Sequence, residues 1–274
     1  MRGGAIFSES DGHLSITNST LSGNSATIGG ALSNRTRSNA TITSSTLSGN
    51  SATTGGAIDN ESAAILTVSN STLSNNDAGS GGGFYQSGTS NATFSNSTVF
   101  GNTASAVAGG LYTESQATLN LLSTIVAGNR LTGPGGTDPD IDGEVTSLGA
   151  NLIGDATGAS GLSLHDYANI ANPGLSVLSN NGSPLQVIPL LNNSPALSKG
   201  DCSGNTTASP IAPPVTVDQR GVFRKLTGCD IGAFELNKDS STPTPLAQPT
   251  LIPAPKNPTG TPTEVAPNAP SINS

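Results

Sequence analysis

The sequence predicts an all-β solenoid, a parallel β-helix whose coils are about 26 residues long. The first observation is a repeat: Gly-Gly-Ala-Ile at Gly3–Ile6 returns every 26 residues, as Gly29–Leu32, Gly55–Ile58 and Gly81–Phe84. A fifth copy, Ala108–Leu111, follows 27 residues later. The second observation is that apolar residues in each copy alternate with Ser, Thr and Asn, and no segment has amphipathic helical spacing. Repeats of this length indicate stacked coils.

Aligning the copies produces four apolar columns, which we expect to form the core. Two of these columns lie two residues apart, which is the spacing of a strand with one buried face. The columns are Leu14, Ala40, Leu66, Ala92, Leu119; Ile16, Ile42, Val68, Phe94, Leu121; Ile6, Leu32, Ile58, Phe84, Leu111; and Leu21, Leu47, Leu73, Val99, Val126. One coil cannot bury these side chains alone, so stacking is required.

Two polar columns accompany the apolar ones. For the column Asn24, Asn50, Asn76, Asn102 and Asn129, which usually follows Gly, the sequence favours simple turn geometry, because Asn and Gly tolerate left-handed backbone. The second column is Asn18, Ser44, Asn70, Asn96 and Ser123. It follows the strand residues at a spacing of two, so we predict that it points inward and forms a ladder of hydrogen bonds between coils.

The sequence divides into three regions: regular coils at 1–129, irregular coils with a C-terminal cap at 130–236, and a tail at 237–274. We expect the cap to contain the charged residues Asp218, Arg220, Arg224, Asp230 and Glu235, paired across the open end of the helix. The alternative is a binding or catalytic cluster. Nine of the chain's 18 prolines lie in the tail, which predicts a disordered linker or stalk.

Composition limits the environment and the partners. The net charge of −8 disfavours nucleic acid and anionic membranes as partners. No apolar stretch is long enough for a transmembrane helix. We expect the two cysteines, Cys202 and Cys229, to pair in an oxidising compartment, the alternative being two free thiols. Because Met1 falls inside a repeat, we expect that a signal peptide and earlier coils are missing, the alternative being a mis-called start codon.

The chain resembles a known family. Its repeats resemble the right-handed parallel β-helix coils of bacterial surface proteins, including the polymorphic outer-membrane type. Later motifs resemble the choice-of-anchor Q domain proteins: Val145–Asp155, Asn193–Leu197, Asp218–Gly221 and Cys229–Glu235. The resemblance implies a right-handed helix that is secreted or displayed at the cell surface, and it implies no enzyme activity.

The sequence contains no convincing catalytic set, so we expect a protein that is not an enzyme. The acids Glu9 and Glu61 align with Arg35 between them, and Asp11 aligns with Arg37; both groups look like solvated surface pairs. A glycosidase needs two facing carboxylates, and no column predicts such a pair. The alternative is a polysaccharide lyase or glycoside hydrolase of the pectin-lyase-like fold.

Two weak candidate sites remain. Asp138, Asp140 and Asp142 match the first half of a calcium loop, although Gly149 stands where the loop needs Glu. We therefore expect no cofactor, with calcium as the one alternative. Tyr85 and Tyr112 are equivalent residues one coil apart, and an exposed pair would stack on a sugar. We expect adhesion, or recognition of a surface polysaccharide or protein; a spacer without a ligand is a further alternative.

Overall fold

The computed structural model describes residues 1–133, 139–202, 215–225 and 228–236. In these residues the chain forms a parallel β-solenoid with no helix, which confirms the predicted fold class. Each coil contributes short strands to parallel sheets that run along the axis. Neighbouring strands in such sheets lie about 4.8 Å apart, so that distance is the rise per coil.

Four sheets make up the wall of the solenoid. Sheet I contains β1 (Ile6–Ser8), β4 (Leu32–Arg35), β8 (Ile58–Glu61), β12 (Phe84–Gln86), β16 (Leu111–Thr113), β20 (Ile141–Glu144) and β23 (Gly158–Ser160). Sheet II contains β2 (His13–Thr17), β5 (Asn39–Thr43), β9 (Ile65–Ser69), β13 (Asn91–Ser95), β17 (Thr118–Leu122) and β21 (Thr146–Gly149). Sheet III contains β3 (Thr20–Ser22), β6 (Thr46–Ser48), β10 (Thr72–Ser74), β14 (Thr98–Phe100), β18 (Ile125–Ala127) and β22 (Leu152–Ile153). Sheet IV contains β7 (Ser51–Thr54), β11 (Asp77–Ser80), β15 (Thr103–Val107) and β19 (Arg130–Leu131).

The four apolar columns stack in register, as predicted. Ile16 pairs with Ile42, Ile42 with Val68, and the file continues through Phe94 to Leu121. Members of this file are buried, and they belong to one core cluster with the other three columns. Phe84 and Phe94 meet edge to face in that core, with ring centroids 5.1 Å apart.

The Gly-Gly motif allows the coils to pack closely at the start of sheet I. Gly55 has a φ of +63°, a left-handed conformation that glycine adopts without steric cost. A Cβ on the next residue, Gly56, would lie 2.3 Å from the carbonyl oxygen of Gly82 in the following coil. The second position therefore excludes a side chain, and the first favours glycine, although Ala108 occupies it in the fifth copy with a φ of +43°.

The Asn24 column corrects a prediction, because it is an internal ladder rather than a set of turn residues. Asn50 Nδ2 donates to Asn76 Oδ1 at 2.9 Å, and Asn76 Nδ2 donates to Asn102 Oδ1 at 2.8 Å. The same bond joins each consecutive pair from Asn24 to Asn129. Each Oδ1 also accepts the backbone N–H of the preceding member, so the amides are satisfied inside the wall. Left-handed geometry is supplied by the preceding residue, such as Gly49 with a φ of +63°.

The second polar column also differs from its prediction, because it forms the turn and not the ladder. Asn18, Ser44, Asn70, Asn96 and Ser123 all have φ between 46° and 54°. One weak bond joins two members, from Asn70 Nδ2 to Ser44 Oγ at 3.3 Å. Asn18 is exposed, whereas Asn70 and Asn96 are buried by later parts of the chain. A turn residue breaks strand alternation, which is why a spacing of two did not place this column inside.

Tyr167 still stacks in parallel register on Leu152 of the last coil. After residue 173 the chain folds back along the side of the solenoid, and we call residues 174–202, 215–225 and 228–236 the flank segment. It contacts the first residues of three successive strands of sheet III. Thr46 Oγ1 donates to the carbonyl of Gln186 at 2.6 Å, and Thr72 Oγ1 donates to the Gln219 side chain at 2.6 Å. Thr98 Oγ1 accepts from the backbone N–H of Ala233 at 3.0 Å. A second apolar cluster lies under this segment.

The five charged residues predicted to cap the helix lie in the flank segment, so the predicted position at the open end was wrong. Arg224 is buried, and its Nη2 donates to Asn70 Oδ1 at 3.0 Å on the side of the solenoid. Arg224 also pairs with Glu235 at 3.3 Å, and Glu235 accepts the backbone N–H of Asp230 at 2.9 Å. These bonds attach the segment laterally.

The other half of this cluster is equally enclosed. Arg220 pairs with buried Asp218 at 2.6 Å and stacks over the ring of Phe234 at 3.7 Å. Nearby, Cys202 and Cys229 form a disulfide with Cα atoms 6.2 Å apart. The C-terminal end of the first core is covered instead by Ala156, Ala159 and Leu162. The predicted tail, 237–274, lies outside the described residues.

Candidate functional site

The outward side of sheet I carries aromatic, acidic and basic side chains, and we call it the tyrosine face. Strand register places six side chains in one column along its centre. That column is Phe7, Ser33, Asp59, Tyr85, Tyr112 and Asp142. The intervening positions, such as Ile58 and Phe84, point into the core. Strand alternation therefore separates the candidate site from the core at each coil.

Tyr85 and Tyr112 form a stacked pair at the centre of the tyrosine face. Their ring centroids are 5.2 Å apart and their planes differ by 29°. Both side chains are half-buried, so the pair retains solvent-accessible surface. The Tyr85 hydroxyl donates to Glu114 Oε1 at 2.6 Å, which fixes its ring. Burial, then Glu114, raises the pKa of Tyr85, and burial with Glu114 and Asp142 raises that of Tyr112. Both hydroxyls stay protonated at neutral pH.

An ion-pair network occupies the N-terminal end of the tyrosine face. Arg35 pairs with Glu61 at 3.1 Å and with Glu9 at 3.6 Å, and Arg2 also pairs with Glu61. The Arg35 and Glu61 side chains are 22% and 20% exposed, so these are not the solvated pairs expected from sequence. The Asp11–Arg37 pair is solvated, with both side chains more than half exposed.

Asp59 is a buried acid between this network and the tyrosines, and the sequence reasoning missed it. Its residue is 1% exposed, and burial followed by the charge of Glu61 raises its pKa to about 7. Among the described residues, Oδ1 of Asp59 has no hydrogen-bond partner, and neither does Oγ of its register neighbour Ser33. Thr54 forms a hydrogen bond with the Asp59 carboxyl, so Oδ1 of Asp59 and the Ser33 hydroxyl remain as two buried polar atoms without a partner, which is unusual in a folded protein. The available signal was an acid in the same outward column as two aromatics.

The C-terminal end of the tyrosine face is acidic. Glu114, Asp142 and Glu144 lie around Tyr112, and none of them has an ion-pair partner within the described ranges. Burial raises the pKa of Asp142, which is half-buried. The face is therefore charge-balanced at one end and negatively charged at the other.

Comparison with protein families identifies the class of this chain. The model of the right-handed β-helix region matches residues 3–173, which is more than half of the chain. The chain belongs to the right-handed β-helix family. No curated protein and no solved structure gave a significant match. In the described part of this β-helix protein, no helix has the length and hydrophobicity needed to cross a membrane.

Of the three acids of the possible calcium loop, the two that the structure describes, Asp140 and Asp142, have different surroundings. Asp138 lies outside the described residues. Asp140 Oδ1 accepts the backbone N–H and Nδ2 of Asn129, both at 2.7 Å, and its Oδ2 accepts the N–H of Asp155 at 2.7 Å. Asp142 lies on the tyrosine face, in register with Tyr112. Among the described residues no group of three potential metal ligands was found.

Asp140 instead ends the Asn ladder, because a carboxylate accepts hydrogen bonds at the point where no further amide follows. Burial raises its pKa to about 6, opposed by its N–H donors. An open cavity of about 620 Å³ adjoins it, lined also by Arg130, Asp155 and Asn169. Three N–H groups already occupy Asp140, so Arg130 and Asp155 are the charged groups this cavity offers to a ligand.

Proposed function

We propose that this β-helix protein is a non-catalytic recognition module that binds carbohydrate through the tyrosine face. The observation that carries the proposal is the half-exposed Tyr85–Tyr112 stack with carboxylates on both sides. Aromatic rings present flat apolar surface to the C–H groups of a sugar, while carboxylates accept its hydroxyl protons. The coil spacing of about 4.8 Å extends these groups along the axis, which suits a chain-like ligand.

The proposed location is outside the cell, secreted or displayed at the surface of a bacterium. The Cys202–Cys229 disulfide supports this, because disulfides persist in oxidising compartments. The Pro/Thr-rich sequence of 237–274 is the composition of a stalk. The motifs shared with choice-of-anchor Q domain proteins support the same location, and we propose that the chain is of that type.

A glycan array followed by titration calorimetry tests the proposal. We expect binding to at least one polysaccharide class, and we expect Tyr112→Ala to weaken it by about tenfold or more, since stacking contributes about 1–2 kcal/mol. Ile65→Ala is the matched control, because Ile65 is also an exposed apolar residue but lies on sheet II. Binding that survives Tyr112→Ala would move the site elsewhere, and no binding at all would favour a spacer.

A polysaccharide-cleaving enzyme is the second candidate, and Asp59 is the observation that favours it. Its pKa of about 7 suits a general acid, and Glu61 lies two residues further along the same face, about 7 Å away. A separation of this size is typical of inverting glycosidases. Against it, Asp59 is 1% exposed and Glu61 is already paired with two arginines.

Assays of reducing-sugar release and of unsaturated uronide formation, on pectin, alginate and the glycans that bind, decide between the candidates. Recognition alone predicts no product above a heat-inactivated control. Product formation that is abolished by Asp59→Asn and retained by Asp77→Asn would establish the enzyme instead.

A further inference from the structure

We propose that the ligand of the tyrosine face is a cationic glycan, one that carries free amino groups, and this inference rests on the proposed function above. The first step is the distribution of charge. Within residues 1–129 the chain contains no lysine and three arginines. Two of these, Arg2 and Arg35, lie at the N-terminal end of the tyrosine face and are already paired with Glu9 and Glu61.

The second step is the field at the tyrosines themselves. After burial, the neighbours that raise the pKa of Tyr85 are Glu114, the stacked Tyr112 and Asp59, and those that raise the pKa of Tyr112 are Glu114 and Asp142. Apart from the stacked tyrosine, each of these neighbours is a carboxylic acid. An aromatic face attracts a cation, and surrounding carboxylates add to that attraction. A neutral sugar would leave this negative charge uncompensated.

The third step is the lack of a cation beside the accessible acids. Among the described residues neither Glu114 nor Asp142 forms an ion pair, and both are only half-buried. An ammonium group has three N–H donors and a positive charge, so it satisfies these carboxylates better than a hydroxyl does. Asp59 is 1% exposed and lies beneath this surface, so the tyrosine stack and the two accessible acids are the groups that select an amine.

The test compares two ligands of equal length that differ at the amino group: a β-linked glucosamine oligomer, whose amines are free, and its fully N-acetylated form, which is uncharged. Calorimetry at mildly acidic pH, where the free amines are protonated, should show the glucosamine oligomer binding about tenfold more tightly. High salt should remove most of this preference, because screening weakens exposed charges. Asp142→Asn should weaken binding of the glucosamine oligomer several-fold and leave the N-acetylated oligomer unchanged.

Asp77→Asn is the matched control, since it removes one exposed carboxylate from sheet IV. Circular dichroism of each variant checks that the solenoid is intact. Equal affinity for the two oligomers, with both lost in Tyr112→Ala, would overturn the inference and leave the proposed function standing. An equal loss in Asp77→Asn and Asp142→Asn would also overturn it, as would tighter binding of a lysine-rich peptide. No binding of either oligomer would contradict this inference. If the glycan array also showed no binding to any polysaccharide, the proposed function would be contradicted as well.

Discussion

The regular coils and the flank segment are held together in different ways. In the coils, the internal ladder repeats the same polar bond at each level from Asn24 to Asn129. In the flank segment each bond is unique: Arg224 reaches Asn70, whereas Gln219 reaches Thr46 and Thr72. A repeated bond adds a similar contribution to the free energy of unfolding at every coil, whereas a unique bond holds one part of the flank segment against one coil.

The coils and the flank segment therefore contribute differently to the stability of the protein. The coils form the scaffold that positions the tyrosine face, and they contain their own core. The flank segment covers the outer side of sheet III and shares a second core with it. We therefore expect changes in the ladder to affect the whole solenoid, and changes in the flank segment to act locally.

The largest effect is expected for Asn76→Ala, in the middle of the ladder. Asn76 accepts from the backbone and side chain of Asn50 and donates to Leu47 and Asn102. Removing it breaks four buried hydrogen bonds, at about 0.5–1.5 kcal/mol each, and leaves the backbone N–H of Asn50 without this partner, so we expect a loss of about 5 kcal/mol. Asn24→Ala, at the half-buried first rung, is the control and should cost about 1 kcal/mol. Denaturant unfolding measures both, and equal losses would contradict a cooperative ladder.

Reduction of the disulfide comes next and should act on the flank segment alone. Cys202 and Cys229 are 27 residues apart, and a loop of that length stabilises the folded state by about 3–4 kcal/mol on the chain-entropy model. Hydrogen exchange should show loss of protection in 215–236 after reduction. The coils should keep their β-sheet circular dichroism, and loss of both signals together would show that the two regions are one unit.

Asp59 and Asp140 are expected to make the free energy of unfolding depend on pH, with an effect of intermediate size. Their folded-state pKa values, about 7 and about 6, lie above the ordinary value of 3.8. The folded protein therefore binds more protons than the unfolded chain in this window. Stability from these groups is fully present below pH of about 4 and is lost as pH rises towards 7, by at most about 1.4 kcal/mol per pH unit and group.

Asp59→Asn removes the contribution of Asp59 to the pH dependence of stability, which is the contribution at the higher pH values. The variant should be more stable than the natural chain at neutral pH, and its stability should change less between pH of about 5 and 7. Asp77→Asn, an exposed acid, should leave the slope unchanged. Chemical unfolding at a series of pH values measures the slopes, and a natural chain that becomes more stable as pH rises would contradict the assignment.

The predictable part of this molecule is the part that repeats. The apolar columns were placed correctly because each position is apolar in five coils. Such a column is buried when its members stack in register inside the solenoid. The two polar columns were exchanged, although their composition contained the answer. The ladder column is Asn in every coil, since its side chain must donate and accept at once. The turn column contains both Asn and Ser, because left-handed backbone needs no amide.

The flank segment and the tyrosine face were less predictable for a related reason. The contact between Arg224 and Asn70 spans 154 residues and occurs once, so no pattern in the sequence indicates it. Asp59 was likewise invisible as a buried acid, because its neighbours in the column are Ser33 and Tyr85. Its environment depends on Arg2, Arg35 and Glu61, which come from three separate coils.

The smallest effect is expected for Arg37→Ala, because this arginine belongs to an exposed ion pair of the coils. Arg37 donates to both carboxylate oxygens of Asp11 in the neighbouring coil, at 2.9 and 3.1 Å. Both side chains are more than half exposed, so water and salt screen the pair and side-chain entropy opposes it. The thermal midpoint should therefore stay within experimental error of the natural chain. Arg35→Ala, a single arginine of the half-buried network, should lower it, and equal behaviour of the two variants would show that burial does not distinguish these ion pairs.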